Sequence, residues 1–177
     1  MSRYTVRTFS GKHVNISSPE PKNITIDDIA HSLSQICLFN GHYPRFLSIA
    51  EHSLKVVEML KKKHGENADP NMLIHGLLAE ASQAYLPNLP SAIKKNVDKE
   101  YLGYEQVLMD IIYQSQGIDE SKYLVEVEEA SKKCYDVYTQ LWVHGTDGTK
   151  SAKPDFYERE FKRVLGELRR MRDMYSK

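Results

Sequence analysis

The chain has 177 residues, with 24 lysines and arginines against 24 aspartates and glutamates, so its formal net charge is zero at neutral pH. That length fits one domain, 1–177, and 41% apolar residues suffice for a core. Balanced charge in a chain that is 27% charged excludes a polycationic nucleic-acid coat or an acidic tail as the main activity, so nucleic acid is not an expected partner.

Residues 4–16, YTVRTFSGKHVNI, place β-branched and aromatic residues around a Ser10-Gly11 turn, which predicts a short hairpin in a lead-in segment 1–20. Thr25 and Asp28 form a capping box for a first helix marked by Ile26, Ile29, Leu33 and Ile36. Ser48 and Glu51 repeat that start for a second helix, which runs into Lys61-Lys62-Lys63, where cations suit a C-terminus. Asp69-Pro70 opens a third, with a stripe of Leu73, Leu77, Ala81 and Ala84 that stops by Pro87. A short helical piece follows around Ala92–Lys95. Long helices then carry Tyr101, Leu108, Ile111 and Ile112, and next Val127, Ala130, Cys134, Val137 and Leu141. The polar segment 144–154 reads as a flexible loop, and 155–177 as an amphipathic C-terminal helix bearing Phe161, Val164, Leu165 and Leu168. The expectation is an all-α globule of about six helices with a small N-terminal β-hairpin.

No apolar run approaches the ~20 residues that span a bilayer, and the first residues lack a signal peptide's apolar stretch, so the expected protein is cytoplasmic with no membrane partner. Cys37 and Cys134 are far apart without metal-ligand spacing and read as buried, inert thiols.

Three stretches carry more than periodicity: DIAHSLSQICLFNGH at 28–42, FLSIAEHSLKVVEML at 46–60 and HGLLAEASQAYLPNLPSAIKK at 75–95. Together they resemble the HD-domain metal-dependent phosphohydrolases, closest to the branch of small nucleotide hydrolases such as deoxynucleotidases. The resemblance runs from the hairpin through the fifth helix and implies an HD-domain-like helical fold. In that family the stretches read CRFNGH, AEHS and LLHDAAEAYIGDIPSPLK, followed by an aspartate on a later helix. The resemblance implies that two histidines and two aspartates hold a divalent cation, manganese, cobalt or magnesium, which activates a water for attack on phosphorus. It also implies a nucleotide ligand and a homodimer, for which Met171, Met174 and Tyr175 are candidate contacts.

Carried over position by position, the set is incomplete. His52 matches the first metal histidine, but the His-Asp pair falls on Ala79 and Glu80. The acid three positions on falls on Gln83, the next aspartate on Asn88, and the phosphate-directed arginine on Leu38. The distal aspartate falls on Glu129, with Glu126 and Glu128 within one register shift. Phe39 and His42 complete the pocket set, Phe39 as a surface for a base and His42 as a loop residue after Asn40-Gly41. Alanine has no donor atom and glutamine cannot act as a general acid, so no catalytic residue and no cofactor is expected. The leading expectation is a catalytically degenerate HD-domain protein that binds a nucleotide without hydrolysis or engages a protein partner. The alternative is a phosphohydrolase with a metal site rebuilt from His52, Glu80 and Glu129. His75 reads as a hydrogen-bonded structural histidine, His31 as a capping or packing residue, and Arg169-Arg170-Arg172 as a solvated helix face.

Overall fold

The computed structural model describes residues 4–175 except 88, 90, 95, 97, 98 and 146, and leaves out the side chains of 91, 92 and 120. An antiparallel hairpin, β1 (Thr5–Arg7) and β2 (His13–Asn15), pairs Val6 with Val14 and precedes an all-α body. Its helices are α1 (Ile26–Gln35), α2 (Ile49–His64), α3 (Pro70–Leu78), the one-turn α4 (Ser91–Lys94), α5 (Lys99–Ser115), α6 (Glu120–Val143) and α7 (Pro154–Tyr175). No helix among the described residues is long and apolar enough to cross a membrane.

Helix starts follow side-chain chemistry. Thr25 Oγ1 accepts from the Asp28 N–H at 3.2 Å, Ser48 Oγ from the Glu51 N–H at 3.1 Å, and Asp69 Oδ1 from the Asn71 N–H at 2.9 Å. Asp28 has a second task, because its carboxylate accepts from the Ser10 N–H at 2.7 Å and the Ser10 hydroxyl at 2.8 Å. Burial alone would raise its pKa, but these donors and Thr25 hold it below the usual carboxylate range, fastening the hairpin turn to the start of α1.

Helix α7 lies along α1 and α3, while α2 packs between α3 and α6. Leu33, Ile49, Leu60, Leu73, Leu77 and Phe161 are fully buried between them. The α2–α3 approach is set at Gly76, where a Cβ would stand 2.6 Å from Leu60 Cδ1 and 3.3 Å from Val56 Cγ1. Helix α3 ends earlier than its apolar stripe predicts. Glu80 leaves helical geometry at φ −104° and ψ 14°, and Ala81–Ala84 continue as a 3₁₀ turn. That break turns the chain after Ala79 onto α1 and α5.

Several expectations change. Segment 144–154, read as a flexible loop, is anchored: Asp147 accepts from Tyr43 Oη at 2.7 Å and Arg45 Nε at 3.0 Å, and Ser151 Oγ donates to the Phe46 carbonyl at 2.8 Å. Arg45 also forks onto Glu51 at 2.8 and 3.0 Å. The arginines of α7 are not simply solvated, because Arg169 donates to Gln116 Oε1 at 2.6 and 3.0 Å and Arg172 to the Gln116 carbonyl. His31 packs, stacking on Phe9 with ring centroids 3.7 Å apart and bonding Glu158 at 3.0 Å. Cys134 is buried and its thiol is pushed up to about 11 by that burial, but Cys37 is only partly buried. Met171 packs on the core, whereas Met174 and Tyr175 are exposed.

Gly76→Val drives a branched side chain into Leu60 and Val56. It is expected to lower unfolding stability by about 1–3 kcal/mol, read as a fall in the urea midpoint, with Gly76→Ala intermediate. An unchanged midpoint in the valine variant would show that the two helices have room to separate.

Candidate functional site

The Ser48 cap fixes the first turn of α2 and places His52 in the core, its own N–H donating to the Ser48 carbonyl at 3.1 Å. The imidazole is completely buried. Nε2 shares a hydrogen bond with Ser131 Oγ at 3.2 Å, while Nδ1 has no partner. The rings of Tyr135 and Tyr138 flank it, with centroids 4.8 and 6.0 Å away. Burial without a compensating acid pushes its pKa down to about 4, so His52 is neutral at physiological pH.

The break after α3 presents Ala79, Glu80 and Gln83 in succession. Gln83 Nε2 donates to Glu80 Oε2, and Gln83 Oε1 is buried without a partner. Burial raises the Glu80 pKa above its ordinary value; the Lys94 charge opposes this, the Glu105 charge adds to it, and the Gln83 bond opposes it. Lys94 Nζ donates to Glu105 Oε1 at 2.7 Å, so the cation beside Glu80 is already engaged.

Two cavities open around this group. One, of about 730 Å³, lies between α3, α5 and α6, with His75, Ala79, Met109, Tyr113, Val127 and Ser131 in its lining. The other, of about 590 Å³, is lined by Leu38, Phe39, Asn40, His42, Gln83, Leu89 and Trp142. Glu80, Lys94 and Tyr135 border both, so the two hollows meet at the carboxyl group.

Aromatic rings build one wall of the second cavity. Phe39 meets Tyr135 edge-on at 5.6 Å, Tyr43 at 5.9 Å and Trp142 at 5.7 Å. Phe39 reaches this cluster only because its backbone is left-handed, φ 54° and ψ 28°, followed by Asn40 at φ 52° and Gly41 at φ 78°. A left-handed phenylalanine is strained and persists where its surroundings over-determine it, commonly at binding sites. Here the Leu38 N–H donates to the Leu47 carbonyl at 2.7 Å on one side, and the His42 N–H to the Phe39 carbonyl at 3.0 Å on the other.

Of the residues singled out from sequence, Phe39, His42, Glu80 and Gln83 border the second cavity and Ala79 and Glu80 the larger one. His52 sits behind Ser131 and Tyr135, and Asn88 lies outside the described residues. Glu129 belongs to neither cavity: it is exposed on the outer face of α6 and bonded to Lys63 at 3.1 Å. The α6 residue that faces His52 is Ser131, two positions on and therefore turned about 200° around the helix from Glu129. His75 is buried against Tyr113, ring centroids 4.5 Å apart, but its Nδ1 is not hydrogen-bonded as expected.

This donor set does not fit the divalent cation of the family resembled. Ala79 offers no atom, His52 Nε2 is bonded to Ser131, and Glu80 holds Gln83. Among the described residues, no three His, Cys, Asp or Glu side chains gather as a cation requires. Sequence reasoning missed Ser131, Tyr135, Trp142, Lys94 and Glu105. The spacing Tyr135, Tyr138, Trp142 was the available signal, since it puts three aromatic rings on one helix face.

No family model matches the chain. It is 30% identical over 113 residues to the uncharacterized protein YfdR of Escherichia coli, a match covering 64% of this chain and 58% of that protein, which is under two thirds of the relative's length. It is 28% identical over 157 residues to the uncharacterized protein RCAP_rcc00048 of Rhodobacter capsulatus, covering 88% of this chain and 79% of that protein.

Two buried neutral histidines make stability pH-dependent. His52 and His75 both have pKa values pushed by burial from 6.5 to about 4. Between those values the unfolded chain holds a proton that the folded chain lacks. Stability therefore falls as pH drops through the window, by about 1.4 kcal/mol per pH unit for each histidine. His75→Gln should flatten the slope of unfolding free energy between pH 6.5 and 4 by about that amount, measured by urea titration at several pH values. Equal slopes for the two proteins would contradict a neutral His75.

Proposed function

We propose that this chain is an HD-domain-like protein that has lost phosphohydrolase chemistry and uses the retained pocket to bind a nucleobase-bearing ligand of the nucleotide class. The observation that carries this reading is the second cavity. Its volume of about 590 Å³ falls in the range of small-molecule sites. Its wall contains Phe39, Tyr135 and Trp142, so planar rings are offered to a planar ligand, and base-aromatic stacking is typically worth ~1–3 kcal/mol. The strained FNGH segment gives independent support, because left-handed geometry at Phe39 costs ~1–3 kcal/mol and such strain clusters at ligand sites, whereas Asn40 and Gly41 adopt it readily.

Binding without turnover follows from the chemistry around Ala79. Hydrolysis in the family resembled needs a cation, a general acid-base group and a phosphate-directed arginine. Here those positions hold Ala79 with its missing ligand atom, Gln83 and Leu38. The rebuilt set His52, Glu80 and Glu129 loses its third member to Lys63. Open volume beside Ala79 supports a ligand role over a collapsed scaffold, since the space is not filled by neighbouring side chains.

The chain's one tryptophan lines this cavity, so the reading has a built-in reporter. Titration with a panel of nucleobases, nucleosides and nucleotides should give saturable Trp142 fluorescence quenching with at least one compound. Phe39→Ala should weaken that binding about tenfold or more, as expected for a lost stacking surface. No phosphate should be released from the nucleotides in the presence of manganese, cobalt or magnesium above the level of a His52→Ala control. A panel with no saturable quenching, or turnover well above that control, would reject the proposal.

A further inference from the structure

We infer that the ligand of this pocket is an uncharged nucleoside and that the pocket disfavours its phosphorylated forms. The inference rests on the nucleobase-binding reading above and follows from the charges that border the two cavities.

Among the described residues, the lining holds three carboxyl side chains, Glu80, Glu105 and Glu128, against two ammonium groups, Lys94 and Lys132. Lys94 is the cation nearest the junction, bordering both cavities, and its Nζ is committed to Glu105 at 2.7 Å. No arginine lines either cavity among the described residues. A phosphate monoester brings close to two negative charges and several acceptor oxygens, which proteins meet with bidentate arginines, backbone N–H clusters or a metal. At the junction it meets the Glu80 carboxyl and Glu105 instead, with one engaged lysine. A phosphate there must break the Lys94–Glu105 pair and approach two acids.

A nucleoside makes the opposite demand. Its base is flat and apolar on both faces, matching Phe39, Tyr135 and Trp142, and the N–H groups of its edge need acceptors. Gln83 Oε1 is such an acceptor: the residue is only 7% exposed, and the atom is buried with no partner in the fold. Sugar hydroxyls are donors that suit carboxyl oxygens such as those of Glu80 where the two cavities meet. The same acids that repel a phosphate therefore serve the hydroxyls of a ligand without one.

Isothermal calorimetry at low salt with adenosine, cytidine and their 5′-monophosphates tests this directly, using the full chain. The expected result is at least one nucleoside binding tenfold or more tightly than its monophosphate. Glu80→Gln, which removes the charge and keeps the shape, should narrow that ratio; a merely structural Glu80 would weaken both ligands together and leave the ratio unchanged. A monophosphate that binds within tenfold of its nucleoside, or more tightly, would overturn this inference and leave nucleobase binding standing. If no nucleoside or nucleotide binds, the inference and the reading it rests on both fail.

Discussion

The close crossing of α2 and α3 at Gly76 sets where the end of α3, with Ala79 and Glu80, lies against α2. With no side chain between the helices, Leu60 and Val56 pack on the α3 backbone. The end of α3 is thereby held beside the first turn of α2, where Ser48 places His52. One turn past Gly76 come Ala79 and then Glu80, where helical geometry stops and the chain swings onto α1 and α5. The two cavities occupy what that swing leaves open. Their chemistry depends on what Ala79, Glu80 and Gln83 supply: a methyl group, a carboxyl and an amide.

That chemistry is unusual for its frame. His52 would be a strong metal ligand if it were open, yet it is neutral, buried and tied to Ser131, with two tyrosine rings against it. Glu80 is the group best placed to meet a ligand, but burial raises its pKa and its hydrogen-bond partner is an amide. The left-handed Phe39, by contrast, is held in a costly conformation with its ring set among Tyr43, Tyr135, Tyr138 and Trp142. Around Ala79 the polar atoms of His52, Glu80 and Gln83 are withdrawn or paired within the fold, while aromatic surface is built up beside them.

Much of the fold was legible because it is written locally. Thr25, Ser48 and Asp69 are capping residues whose side chains bond N–H groups two or three positions on, so the starts of α1, α2 and α3 follow from short-range chemistry. The end of α3 was not legible, since the apolar stripe continues through Ala81 and Ala84 while the backbone breaks at Glu80. Segment 144–154 looked flexible because its composition is polar, but its partners Tyr43, Arg45 and Phe46 lie about 100 residues earlier, beyond any local pattern. The site divided along the same line. Ala79 and Gln83 were found through missing donor atoms, which a sequence displays directly. Glu129 was misplaced because three acids, Glu126, Glu128 and Glu129, crowd one stretch, and only the helix phase set by packing shows that Ser131 faces inward.

The proposed reading puts the loss of cation binding at two positions: Ala79, which offers no ligand atom, and Ser131, which occupies His52 Nε2. Calorimetric titration of manganese into the wild-type chain and into an Ala79→His, Ser131→Asp double variant tests it most directly. The expected result is no stoichiometric binding by the wild type and one site per chain in the variant, with His52, the introduced histidine, Glu80 and the introduced aspartate as its donors. Stoichiometric manganese binding by the wild-type chain, as tight as in the variant, would contradict it.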